Sequence, residues 1–312
     1  MPTRCYLLNR REETEYRRGI EPSYFTFSIL FHVSLNPLPH FGYISSSPST
    51  WAFSLRLKRA LIHYARFMSE RIKQILVLVV TWAGIIVPFS TAVRNFTPGG
   101  AADTYGLEPL VTPSPYAFLI WVPIYLGLLA LAVYQALPDQ ENDPRLQKIR
   151  PWLALTAVLN AVWLYAVADG RLWLPVVTIF ALLTTALALR YAFGIGVKHE
   201  GVMRWLGYSV SIYAGWLTLA TIVNTSSALL LSGWTSWVPF WAIIMLLVGT
   251  AIGLTVRVNW RDPVYGGVFV WTFLAIAIGQ WGHPLVIIVA LLLMIVFAMT
   301  LLPPILRGRK AL

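Results

Sequence analysis

Charge is the first thing this 312-residue sequence is short of: Asp, Glu, Lys and Arg make up 12% of it, against 57% hydrophobic residues. Soluble domains carry roughly a quarter charged residues, so a soluble fold is excluded. Cysteine is almost missing. The single Cys5 has no internal partner, which rules out a disulfide framework and redox chemistry through a thiol pair. The long apolar runs lack a central Asp, Glu, His or Lys, the groups that an ion-coupled transporter buries as a proton or cation relay. Arg190 and Arg257 sit near the ends of their runs and are expected to snorkel toward headgroups, while Asp169 and His283 fall at the opposite boundary. A metal-ligand cluster, a His-containing nucleophile constellation and a phosphate-binding glycine loop are also missing, so no motif points to an enzyme or to a bound metal or cofactor. Alternating segments of about ten residues, the mark of a membrane β-barrel, do not occur either.

What the sequence does have is apolar runs long enough for a helix rising about 1.5 Å per residue to cross a hydrocarbon core of about 30 Å. Eight such spans are expected, at about 75–93, 115–137, 152–168, 172–193, 205–226, 238–256, 264–280 and 284–304. The fold class is therefore all-α, a polytopic membrane bundle. Basic residues account for the net charge of +11, but from residue 68 onward they lie mostly in short segments flanking the spans, which argues for orientation in a membrane and against nucleic acid as a partner. The segments after odd-numbered spans hold few of them, Arg94 and Arg171. The opposite side holds Arg71, Lys73, Arg145, Lys148, Arg150, Lys198, Arg204, Arg257, Arg261, Arg307, Arg309 and Lys310. By the positive-inside rule both termini face the cytoplasm, in a multi-pass protein of the inner (plasma) membrane.

Residues 1–67 differ from the rest, with Arg10, Arg11, Arg17 and Arg18 among Ser, Pro and Glu and no run of spanning length. They read as a disordered tail or as an overextended start, since Met68 opens a natural beginning just before the first span. Residues 94–114 are rich in turn formers, Thr97-Pro98-Gly99-Gly100 and Thr112-Pro113-Ser114-Pro115, which suits an ordered cap or lid. Residues 138–150 read as a solvated loop without chemistry. Gly249-Thr250-Ala251-Ile252-Gly253 is a G-x-x-x-G, a close-packing motif that serves either intramolecular contact or a homodimer. Pro123 interrupts the second span and is expected to kink it.

Fourteen tryptophans divide by depth. Those at span ends or in loops, such as Trp152, Trp205, Trp234 and Trp241, suit headgroup anchoring. Trp82, Trp121, Trp163, Trp216 and Trp271 lie inside spans, where an indole N–H needs a partner. Trp121 and Tyr125 share one face of span 2. Thr156, Asn160 and Trp163 share one of span 3, and Tyr213, Trp216, Ala220 and Asn224 one of span 5. These stripes suit an aromatic cavity for an apolar ligand, and equally helix packing with Asn160 and Asn224 as interhelical glue.

Leu159-Asn160-Ala161-Val162-Trp163 resembles the L-N-x-x-W segment of the tryptophan-rich sensory protein (TspO/MBR, translocator protein) family. Tyr213-Ala214-Gly215-Trp216 through Ala220-Thr221-Ile222-Val223-Asn224 resembles its Y-x-x-W-x-x-x-A-T-x-x-N segment, and Trp121 to Tyr125 its W-x-x-x-Y. The resemblance covers about residues 75–230. It implies a five-helix ligand-binding unit at 68–230 and three additional helices at 231–312, the longer TspO/MBR-related branch. It further implies a cavity for porphyrins, haem-type molecules or other flat or lipid-like apolar ligands, lined by Trp121, Tyr125, Asn160, Trp163, Tyr213, Trp216, Ala220 and Asn224. The implied role is sensory, regulatory or transport. Light- or oxygen-dependent tetrapyrrole degradation, and facilitated movement of an unrelated small molecule, are the alternatives. One departure stands out: Glu108-Pro109-Leu110-Val111-Thr112-Pro113 lacks the basic residue that the family places before span 2.

Overall fold

The computed structural model describes residues 70–88, 108–195 and 199–302. The tail and most of the expected cap at 94–114 lie outside these residues. Among the described residues there are eight α-helices, two short 3-10 segments and no strand. The helices are α1 (Glu70–Pro88), α2 (Trp121–Ala136), α3 (Pro144–Ala168), α4 (Leu174–Phe193), α5 (Gly201–Leu231), α6 (Val238–Trp260), α7 (Pro263–Gly279) and α8 (Pro284–Leu301). A 3-10 segment, Pro115–Ile120, runs directly into α2. Seven of the apolar helices reach spanning length, with the 3-10 segment counted into the second, and α7 at 17 residues sits at the lower bound for a crossing. The protein is a multi-pass membrane helical bundle.

Helices outrun several of the apolar runs because backbone hydrogen bonding continues past the point where hydrocarbon ends. Expected span 3 begins at 152, whereas α3 begins at Pro144, capped by the Asp143 carboxylate, which accepts from the Arg145 N–H at 2.8 Å. Arg150, read from sequence as part of a solvated loop, is therefore in the second turn of α3 and is buried. It donates to Gln135 Oε1 at 3.0 Å and to the carbonyls of Gln140 and Glu141, and pairs with Glu70 at 3.3 Å. Beside it Gln74 and Gln135 donate to each other's backbone carbonyls at 2.7 and 2.9 Å, fastening α1 to the end of α2. Pro123 lies inside the second spanning helix, as expected. It is the third residue of α2, close to the junction with the 3-10 segment.

The 31-residue α5 is the axis of the bundle. It packs against α2, α4, α6 and α7, and 72% of its spanning window is buried against 22% for α8 on the periphery. The pairs α3/α4 and α7/α8 pack side by side as hairpins. Both glycines of the G-x-x-x-G are used inside the chain: a Cβ at Gly249 would meet Ile222 of α5 at 3.2 Å, and one at Gly253 would lie 2.4 Å from the Phe269 ring of α7. Arg190 does not snorkel. Its guanidinium meets Asp262 at 2.7 Å and Ser211 at 2.8 Å, joining α4 and α5 to the start of α7. Arg257 donates to the Thr300 carbonyl at 2.7 Å, tying α6 to α8.

Candidate functional site

Trp121, the first residue of α2, is the hub of an aromatic cluster. Its ring stacks on Tyr125 at 4.9 Å and 23°, a contact set by their spacing of one helical turn. Across the bundle it meets Trp163 of α3 at 5.7 Å, and Trp216 and Tyr213 of α5 at 6.1 and 6.3 Å. Each separation falls in the range where aromatic pairs contribute about 0.5–1.5 kcal/mol beyond their burial. Phe118, on the 3-10 segment, sets its edge against Trp216 at 5.6 Å.

The polar groups around these rings divide into two kinds. Trp163 donates its indole N–H to Asn224 Oδ1 at 3.1 Å, and Asn224 returns its amide to the Ala220 carbonyl at 2.8 Å. That chain is closed and bonds α3 to α5. The other kind is open. Asn160, 1% exposed, accepts a long hydrogen bond from Tyr125 at 3.4 Å but has no partner for its Nδ2. Trp216, 3% exposed, has none for its Nε1. The Tyr213 hydroxyl faces Thr156 without a well-formed hydrogen bond. All eight residues singled out from the sequence thus belong to one connected cluster, in which the Trp121 ring meets each of the other four rings.

Among the described residues no group of three or more His, Cys, Asp or Glu side chains is placed to hold a metal ion. The cluster offers π faces and neutral hydrogen-bond donors. Such a surface recognises a flat apolar molecule with acceptor atoms.

A family model described as TSPO-like protein matches residues 71–302. The chain belongs to the TSPO-like protein family. The match runs from the first turn of α1 to the end of α8, so it takes in the last three helices as well as the first five. No curated protein and no solved structure matches the chain.

In this TSPO-like protein the segment leading into the site is held from a direction that sequence reasoning missed. The Ser114 N–H donates to the Ala275 carbonyl at 2.9 Å, the Trp271 indole to the Ala117 carbonyl at 3.2 Å, and the Gln280 amide to the Thr112 carbonyl at 2.9 Å. Tyr116 adds an edge contact to Trp271 at 5.2 Å. Residues 112–117 are therefore strapped to α7, and the strap sets where the 3-10 segment delivers Phe118 and Trp121. The signal in the sequence was Trp271, an indole inside a span in need of an acceptor. Trp82, by contrast, lies 44% exposed on the surface of the bundle.

Proposed function

We propose that this TSPO-like protein binds a flat, largely apolar ligand carrying hydrogen-bond acceptors, of the tetrapyrrole class, at the Trp121 cluster, in a sensory, regulatory or transport role. The observation that carries the reading is the pair of buried donors without partners, Asn160 Nδ2 and Trp216 Nε1, on the wall of an aromatic cluster. An unsatisfied buried donor costs about 1–3 kcal/mol, and in hydrocarbon no water relieves it. A ligand acceptor does. The closed Trp163–Asn224 pair forms the fixed wall, and Trp121, at the junction of 3-10 and α-helical backbone, is the ring whose displacement opens the site. The setting is the inner (plasma) membrane, with the α2–α3, α4–α5 and α6–α7 connections facing the cytoplasm as the basic residues indicate.

Titration of the detergent-solubilised protein with protoporphyrin IX, followed by tryptophan fluorescence, tests the site. Trp216→Phe keeps a ring but removes the free N–H, and is expected to weaken binding five- to thirtyfold, about 1–2 kcal/mol. Trp205→Phe, at an indole 64% exposed near the start of the same helix, is expected to leave affinity unchanged. Equal losses in both variants would mean that porphyrin partitions onto the protein or its detergent belt, and the assignment would fall.

A further inference from the structure

A second region of α5 borders free space that the aromatic cluster does not use. Between α5, α6 and residues 109–111 lies a narrow, partly open cleft, walled by Val111, Leu230, Ala242 and Met245 and flanked by Trp234 and Trp241. A second, smaller hollow shares Val111 and Met245 with it and is lined by Leu219, Ile222 and Gly249. Leu219 precedes Ser226 by seven residues, so the two hollows follow one another as an apolar tract along about 10 Å of α5. The two indoles, 5.3 Å apart, sit at the end of the bundle where α5 stops and α6 begins. Aromatic residues there mark the headgroup level, so the tract runs from the interface toward the bilayer middle.

One polar group on this stretch of α5 has no partner. Residues 224–227 of α5 are Asn, Thr, Ser and Ser. Asn224, Thr225 and Ser227 each return a hydrogen bond to the carbonyl four residues back, at 2.8, 2.8 and 3.0 Å. Ser226 does not. Its hydroxyl is buried and has no partner, and the residue lines the cleft one and a half turns below the end of α5. Such a hydroxyl ordinarily closes on its own helix when nothing else accepts from it.

We propose that this tract is a binding site for one acyl chain of a bilayer phospholipid, with the ester carbonyl accepting from Ser226 and the methylenes lying along Leu219, Ile222 and Met245. Depth and chemistry agree. The donor lies near the interface, where a phospholipid keeps its esters, and the apolar end lies deeper, where it keeps its chains. The proposed porphyrin site at the Trp121 cluster involves other residues of α5, Tyr213, Trp216, Ala220 and Asn224. Because α6 supplies one wall, the site requires the helices beyond the first five.

The test uses the full-length protein in phosphatidylcholine nanodiscs doped with a phosphatidylcholine that carries a diazirine on one acyl chain. Illumination followed by peptide mapping is expected to concentrate label within 219–230 and 242–249. Ser226→Ala, which preserves volume and removes the donor, should lower that label at least threefold with unchanged thermal stability. Ala242→Phe should fill the cleft and lower it at least tenfold. If that larger side chain prevents insertion, Ser226→Ala carries the test. Label no denser there than at the lipid-exposed Leu126 and Phe180, or unchanged by Ser226→Ala, would overturn the proposal. A diazirine fatty acid that displaces the phospholipid label would overturn it in favour of a free fatty acid.

Discussion

Asp262 is the residue whose replacement should hurt this protein most outside the aromatic cluster. It is 4% exposed, and four donors converge on it. Oδ2 accepts from Arg190 Nε and Ser211 Oγ, both at 2.7 Å, and Oδ1 accepts from the N–H groups of Val264 and Tyr265 at 3.1 Å, capping α7. Asp262→Ala removes the cap, about 1 kcal/mol, and strands the Arg190 cation, a further 3–5 kcal/mol when a buried pair loses one partner. The Arg190 side chain retains 13% exposure and keeps the Gly194 carbonyl at 3.0 Å, so the lower end of that range applies. The expected loss is about 4 kcal/mol. At about 2–4 °C per kcal/mol this lowers the melting temperature of the detergent-solubilised protein by about 8–16 °C, read from tryptophan fluorescence. Arg190→Met should cost about 3 kcal/mol by leaving the carboxylate with its caps and Ser211 alone. The double variant is the decisive measurement, because removing both charges removes the penalty for stranding either. Its loss should fall at least about 2 kcal/mol short of the sum of the singles. Additive losses would show that the two side chains act independently, and the reasoning would be refuted.

Two further outcomes are expected. Gly253→Ala places a methyl 2.4 Å from the Phe269 ring and 2.9 Å from Phe297, and should destabilise by about 1–3 kcal/mol, whereas Gly267→Ala, with nothing within 4 Å, should be neutral or slightly stabilising in the same melting assay. Reporter fusions after Gln140 and Gly233 should report opposite sides of the membrane, the first cytoplasmic; matching sides would refute the span count.

Bundle and helix number were legible in the sequence because bilayer thickness fixes how long an apolar run must be. The cluster residues were legible because helical periodicity put Asn160 with Trp163, and Tyr213 with Trp216, on single faces. Periodicity says nothing about what lies opposite a face. It named Trp163 and Asn224 as two wall residues, and the structure joins them, 61 positions apart, into one satisfied pair. The Arg190–Asp262 contact spans 72 positions and links an arginine read as snorkelling to a loop acid that drew no attention. Arg150 was misplaced for another reason. Hydropathy marks where hydrocarbon stops, and α3 begins two turns before that point.

The same long-range contacts bear on what the last three helices do. Were they a separate module, the aromatic cluster would stand on α2, α3 and α5 alone. Instead α7 and its C-cap Gln280 hold residues 112–117 through three hydrogen bonds, and those residues lead without a break through the 3-10 segment to Phe118 and Trp121. At its other end α7 begins at Asp262, bound to Arg190 and Ser211 on α4 and α5. One helix therefore links both ends of the bundle, fixing the entrance of the site at its C-terminus and the α4/α5 packing at its N-terminus. Opening the cluster by moving Trp121 must load the strap to α7, because the 3-10 segment leaves no slack between Ala117 and Trp121. On the proposed reading of the cluster as a ligand site, occupancy and the packing of the last helices would be coupled through a contiguous set of contacts, the physical condition for reporting a ligand beyond its binding site.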